Sequence, residues 1–250
     1  MRIEILTEDI SGSYIVEILA RQICKSAGVR ADFYVRPHGG CGHLPEDWNL
    51  PPKTFTTALL DQLPAKCRAY NKIFADTDMI LIVVMDSDSN DPDLLRQRLS
   101  TVCRKYAPGI KNVVGLATEE IESWLMGDLV AIKKAYPNID ENAYYEYKQD
   151  SVCGTWEALC RTVCPDNAES VLEIGYPAIG NYKSRWAKNI SRYMRADKNR
   201  SPSFNRFRMS LISALRNTES NFENAVEPTI NPAPVTTDDG ENHKVRRTTF

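Results

Sequence analysis

The sequence predicts an α/β fold: a mostly parallel sheet flanked by helices, followed by a helical C-terminal region. Three observations lead there. Strand-like and helix-like stretches alternate through the first half with short connections, the pattern of a parallel sheet covered by helices. The β-branched run Ile80-Leu81-Ile82-Val83-Val84-Met85 is apolar at every position, as befits a strand buried on both faces. After Asp128 strand patterns give way to several short helical stretches joined by polar loops.

Taken in order, Arg2 to Thr7 reads as the first strand. Ser11 to Ala27 reads as a helix, with Tyr14, Ile15, Ile18, Leu19 and Ile23 at helical spacing. Val29 to Arg36 reads as the second strand. A Gly-rich loop, His38-Gly39-Gly40-Cys41-Gly42-His43, and a Pro-bounded connection follow. Thr56 to Ala75 reads as a helix in which Pro64 is a candidate break, since an interior proline loses a hydrogen bond and clashes with the preceding turn. Met79 to Met85 is the third strand. Asp91-Pro92 is a helix start, with Asp as N-cap and Pro at the first helical position. That helix runs to about Tyr106 and stops at Pro108-Gly109. Lys111 to Ala117 is the fourth strand, and Thr118 is read as the cap of a helix through Trp124 and Leu125. The division expected is residues 1–127 as the α/β domain, 128–226 as a helical region packing on it, and 227–250 as an extended or weakly ordered tail rich in Pro and polar residues.

At 250 residues, 42% hydrophobic and 26% charged, the composition is that of an ordinary globular protein. No stretch approaches the roughly 20 apolar residues of a membrane span, and the N-terminus enters a strand pattern at once, so no membrane association is expected. Seven scattered cysteines fit reduced thiols and a cytoplasmic setting. Net charge is −2, but its distribution is uneven. Between Tyr182 and Arg216 ten Lys/Arg face one acid, Asp197, a surplus of nine that leaves −11 on the remainder. An acidic body with a basic segment suits a metal site in one place and a polyanion-facing surface in another.

The acids fall at strand ends. Glu8 follows the first strand, Asp86 and Asp88 the third, and Glu119, Glu120 and Glu122 the fourth. Open α/β sheets bind ligands at the carboxyl ends of their strands. Mg²⁺ or Mn²⁺ takes oxygen ligands, usually one or two carboxylates plus waters and phosphate oxygens. Asp91 is assigned to the helix cap rather than to the metal, and a first-turn position alone would account for Glu119. Glu120 and Glu122 would point to different faces of a helix, so both need not be ligands.

The order Leu6-Thr7-Glu8, then Val83-Val84-Met85-Asp86-Ser87-Asp88, resembles the Toprim fold of topoisomerases, primases and nucleases of overcoming-lysogenization-defect type. Glu120-Ile121-Glu122-Ser123-Trp124-Leu125 and Ser201-Pro202-Ser203-Phe204-Asn205-Arg206-Phe207 resemble a family of small Toprim-like proteins often encoded beside ABC-type ATPases in prokaryotic defence loci. The chain departs from the Toprim pattern at Asp9, where Gly is usual. The resemblance implies a Mg²⁺-dependent nuclease or related phosphoryl-transfer effector, partnered by an ABC-type ATPase in an anti-phage defence complex. It makes Glu8 the general acid or base, gives the metal to Asp86 and Asp88, and completes the site with Glu120 or Glu122. Two alternatives stand beside it: a catalytically silent binding or regulatory subunit of that complex, and a DxD nucleotide-sugar transferase, in which Glu8 has no role.

Tyr182 to Ala196 reads as an amphipathic helix, with Tyr182, Trp186, Ile190 and Tyr193 on its apolar face. Arg185, Lys188, Arg192 and Arg195 form a basic stripe beside it, a candidate surface for DNA or RNA, tRNA included. The alternative is a solvated face paired with acids of the body. Lys183 is a candidate phosphate clamp reaching the metal site. Ser201, Ser203 and Phe204 read as a turn and helix start docking the helical region on the sheet. His38, Cys41 and His43 lack a fourth zinc ligand nearby, and a loop at the acidic rim is preferred. Cys153, Cys160 and Cys164 are read as buried thiols on one helix face.

Overall fold

The computed structural model describes residues 1–223, with side chains as far as residue 216. The tail assigned to 227–250 lies outside the described residues. Four parallel strands, β1 (Arg2–Thr7), β2 (Asp32–Pro37), β3 (Met79–Asp86) and β4 (Lys111–Ala117), pair in the order β2-β1-β3-β4. The helices α1 (Ile10–Ser26), α2 (Leu59–Phe74) and α3 (Pro92–Tyr106) connect them. Seven helices follow: α4 (Glu122–Met126), α5 (Leu129–Ala135), α6 (Glu141–Glu146), α7 (Thr155–Val163), α8 (Ala168–Leu172), α9 (Ala178–Ser191) and α10 (Pro202–Glu223).

Successive strand residues point to opposite faces, and both faces here are covered. Ile3 and Ile5 of β1, Ile80, Ile82 and Val84 of β3, and Val113 and Ala117 of β4 pack against α1 and the C-terminal helices. Leu6, Leu81, Val83, Met85, Val114 and Leu116 face the other way, onto α2 and α3. This double burial is why β3 is apolar throughout. The C-terminal helical region therefore shares one core with a face of the sheet. Trp124 stacks on Phe207 with centroids 5.3 Å apart and meets Phe204 edge-on, also at 5.3 Å. Gly115 permits this approach: a Cβ there would lie 2.8 Å from the Phe207 ring and 3.0 Å from Val84.

One fully buried charge is built into the sheet. Glu4 of β1 accepts from Arg2, from Arg36 Nε at 2.9 Å and from the Tyr70 hydroxyl at 3.1 Å. Two cations and a phenol satisfy it, so it needs no other ligand.

Several expectations are corrected. α1 starts at Ile10 because Asp9 is its N-cap, accepting from Gly12 N at 2.8 Å. β2 starts at Asp32, after a turn at Gly28 with φ 74°. α2 starts at Leu59 and runs unbroken through Pro64, which is buried against the sheet side. Thr118 caps no helix: residues 118–121 form a turn with Glu119 at φ 58°, and α4 begins only at Glu122. The basic helix spans Ala178–Ser191 rather than 182–196, so Tyr193, 41% exposed, lies beyond it and off its buried face. Cys160 is buried in α7, but Cys153 is exposed and precedes that helix, and Cys164 is its C-cap. All seven cysteines are free thiols. Among the described residues no helix is long and apolar enough to cross a membrane.

Candidate functional site

The acidic rim forms where β1, β3 and β4 end side by side. Glu8 is the first residue past β1, and its Oε2 accepts from the backbone N–H of Asp86 at 3.3 Å. Burial lifts its carboxyl to about 7; the Asp86 N–H resists that shift, and Asp88 and Asp9 add to it. Asp86, the last residue of β3, points to the face occupied by the helical region. Its carboxyl is pushed well above the usual range by burial and by Glu122 and Glu8.

Ser87 holds the strand ends together. Its N–H donates to Ala117 O at 3.0 Å, and its buried hydroxyl accepts from Glu119 N at 2.9 Å. Asp88 then turns out to solvent at φ 46°, donating its N–H to Glu119 O at 2.9 Å. That left-handed conformation ends the extended geometry, so Asp86 and Asp88 do not project side by side as the i, i+2 spacing of a strand would have them. Asp91 caps α3, accepting from Asp93 N at 2.8 Å and Leu94 N at 3.0 Å.

The acids after β4 divide between two duties. Glu119 turns its carboxylate onto the start of α7, accepting from the N–H groups of Cys153, Gly154 and Thr155 and from the Thr155 hydroxyl. Partial burial works against ionisation, yet these bonds hold the carboxyl below its usual range. Glu120 accepts from Trp156 N at 2.9 Å through Oε2 and from Lys183 Nζ at 3.0 Å through Oε1. Glu122 has no exposed surface, and neither carboxylate oxygen has a hydrogen-bond partner. Its nearest cation is Lys183 Nζ, an ion-pair contact of 3.5 Å that is too long for a good hydrogen bond. Burial raises Glu122 to about 7, with Lys183 opposing and Glu120 reinforcing.

Lys183, on α9, is thus the cation at the centre of the rim. It is 8% exposed; burial disfavours its charge, but Glu122 and Glu120 outweigh that and hold its ammonium above the usual lysine range. Its place is among the carboxylates, apart from the exposed stripe. Of the other basic residues, Arg185 stacks over Tyr182 at 4.6 Å and Lys188 lies 5.8 Å from the Tyr14 ring, both exposed. Arg192 leans on Asn189 Oδ1 at 3.3 Å. Arg195 lies past the end of the helix, paired with Asp197 at 3.0 Å. Among the described residues Arg185, Lys188 and Arg192 have no acidic partner.

The Gly-rich loop reaches the same rim. Gly40 N donates to Glu8 O at 3.0 Å, and His38 Nδ1 lies 2.8 Å from Thr7 O. Burial pushes the Cys41 thiol up to about 12, with Glu8, Asp88 and Asp86 adding to it. Among the described residues no three His, Cys, Asp or Glu side chains are grouped as a ready metal cage, in this loop or on the rim. The donor set nevertheless suits a hard cation taking one or two carboxylates and filling its other positions with water and phosphate oxygens. Glu122 supplies the physical sign: a buried carboxylate with both oxygens unbonded, beside two other crowded acids.

Glu8, Asp86, Glu120 and Glu122 are therefore brought together, with Asp88 at the solvent edge. Lys183 reaches the rim, as its candidate role as a clamp required, but as the ion-pair partner of Glu120 and Glu122; the capping role of Glu119 was not foreseen. Nor was Asp150, which accepts from Ser203 N at 2.6 Å and Ser201 Oγ at 2.8 Å and so anchors the start of α10. No family model, curated protein or solved structure matches the chain.

Proposed function

We propose that the chain is a Mg²⁺- or Mn²⁺-dependent phosphoryl-transfer enzyme acting on nucleic acid, a nuclease whose active site is the acidic rim. One observation carries the reading. Three carboxylates converge at the carboxyl end of a parallel sheet, Glu122 fully buried and Glu8 and Asp86 half-buried. Glu8 and Glu122 are raised to about 7 and Asp86 well above its usual range, while both oxygens of Glu122 lack a hydrogen-bond partner. A fold keeps such an arrangement at a price in stability, and sites of this kind are where function is found.

Asp86 would hold the cation, with Glu122 or Glu120 behind it and Asp88 reaching it from the solvent edge. When bound, the cation supplies a Lewis acid that stabilises charge on a phosphoryl oxygen and makes water more acidic. Glu8, with a carboxyl near 7, can take up or release a proton at neutral pH. Lys183 balances the acids and orients Glu120. Arg185 and Lys188, on the same helix and unpaired with acids among the described residues, offer phosphate contacts. The Toprim-like resemblance supports the same assignment and adds an ABC-type ATPase of a defence system as partner.

A second reading, a binding subunit without catalysis, is favoured by Lys183 itself, which already neutralises part of the rim. The sugar-transferase alternative leaves Glu8 idle, although it sits against Asp86. Purified wild type, Glu8→Ala and Asp86→Ala are incubated with DNA and with RNA, tRNA included, in Mg²⁺ or Mn²⁺. Cleavage by wild type alone supports the nuclease. Nucleic-acid binding without cleavage, unchanged by either substitution, supports the binding subunit instead.

A further inference from the structure

Among the described residues β2 and β4 are the two edges of the sheet, and the sequence of β2 is self-complementary. In β2 the N–H groups of alternate residues turn toward β1: Asp32 N donates to Met1 O at 3.0 Å, and His38 N, six residues on, donates to Thr7 O at 3.0 Å. The backbone groups of Phe33 and Val35 therefore turn outward. Among the described residues β2 pairs with β1 alone. Such an edge is a template for another strand.

We infer that β2 pairs antiparallel with β2 of a second copy of this chain, about a two-fold axis at Tyr34, joining two four-stranded sheets into one. In this register Phe33 lies opposite Val35 of the other copy, and the outward backbone groups of both residues exchange bonds. The two symmetry-related pairs give four hydrogen bonds. Tyr34 faces its own counterpart as a non-hydrogen-bonded pair, the closer kind, and it is 40% exposed. Asp32 falls opposite Arg36 of the other copy, twice. Asp32 is exposed and has no ion-pair partner among the described residues; Arg36, which is paired with Glu4 through Nε at 2.9 Å, keeps its side chain 47% exposed.

Charge selects the occupant. A strand with Asp and Arg equally spaced about an aromatic centre matches its own antiparallel copy, whereas a parallel copy in the same register would set like charges opposite each other. Pro37 confines the pairing to this stretch, because it has no N–H to continue the ladder. In the joined sheet the strands of the two halves run in opposite directions, so the two acidic rims open at opposite ends and each would engage its own nucleic acid segment. The dimer does not depend on any catalytic role for those rims.

Sedimentation velocity of the full chain at tens of micromolar tests the pairing. Wild type is expected to sediment as a dimer. Val35→Pro removes an outward donor and leaves the β1 ladder intact, and it is expected to weaken dimerisation at least tenfold. Asp32→Arg sets two Arg pairs across the axis and is expected to weaken it as much, more so at low salt. Circular dichroism checks the fold of both; should Val35→Pro unfold, Asp32→Arg decides. A monomer at all concentrations, or a dimer unaffected by the folded variants, overturns the inference.

Discussion

At Asp88 backbone and charge can be separated. The residue stands at φ 46°, where Asn is tolerated and a residue with a plain Cβ costs about 1 to 2 kcal/mol. Asp88→Asn is therefore expected to keep stability within about 0.5 kcal/mol while weakening Mg²⁺ binding and cleavage. Asp88→Ala is expected to lose about 1 kcal/mol as well, read by urea denaturation. The rim also sets a pH dependence. Glu8 and Glu122 titrate near 7 in the folded chain against 4.5 unfolded, so the folded state holds more protons between those values. Stability of the metal-free protein from these groups is greatest below about pH 4.5, falls as pH rises to about 7, and is level above. Lys183 is raised, so its contribution is complete below its unfolded value of 10.5 and does not vary in this window. Since cation binding needs ionised carboxylates, thermal denaturation should show Mg²⁺ stabilising the chain more at pH 8 than at pH 5.5. Equal stabilisation at both would speak against the rim as its site.

Among the elements, the strands were the most legible and the turn after β4 the least. β1 and β4 have the bounds their patterns predict, and β3, whose two-sided burial writes itself as an unbroken apolar run, extends one residue further. The Asp91-Pro92 start of α3 was equally plain, since its signal is local. Glu119 was misread because its partner is not local: it caps α7, more than thirty residues away, and that requirement puts it in a left-handed turn. Removing this carboxylate leaves the N–H groups of Cys153, Gly154 and Thr155, which lead into α7, without their acceptor. Glu119→Ala is expected to lower stability by about 1 to 2 kcal/mol, with Glu119→Gln recovering part of the loss through its carbonyl. An unchanged denaturation midpoint for Glu119→Ala would refute the cap. For the site, Glu8, Asp86 and Asp88 were legible as strand-end acids. Lys183 was visible only as a candidate, because its position depends on how α9 lies over the sheet.

Across the whole molecule, β4 and α10 meet at a contact of unequal partners within the core that the helical region shares with the sheet. Phe207 fills the space that Gly115 leaves open, and Trp124 stacks on the other side of its ring. Phe207→Ala is expected to cost about 3 to 5 kcal/mol, and Gly115→Ala about 1 to 3 by overpacking. The double variant should cost less than the sum, since the cavity left by Phe207 accepts the new methyl group. Strict additivity in denaturant titrations would show that the two residues do not touch. Trp124 in that packing holds α4, which brings Glu122 to Asp86, and α9, packed on α1 and α4, brings Lys183 there.

The proposed function makes that convergence a metal centre, and titration with Mn²⁺ followed by electron paramagnetic resonance reads it directly, with or without a substrate. Wild type should bind Mn²⁺ at the rim in competition with Mg²⁺, and Asp86→Asn should abolish that binding while remaining folded. No bound Mn²⁺ in the wild type, or the same binding in Asp86→Asn, would contradict it.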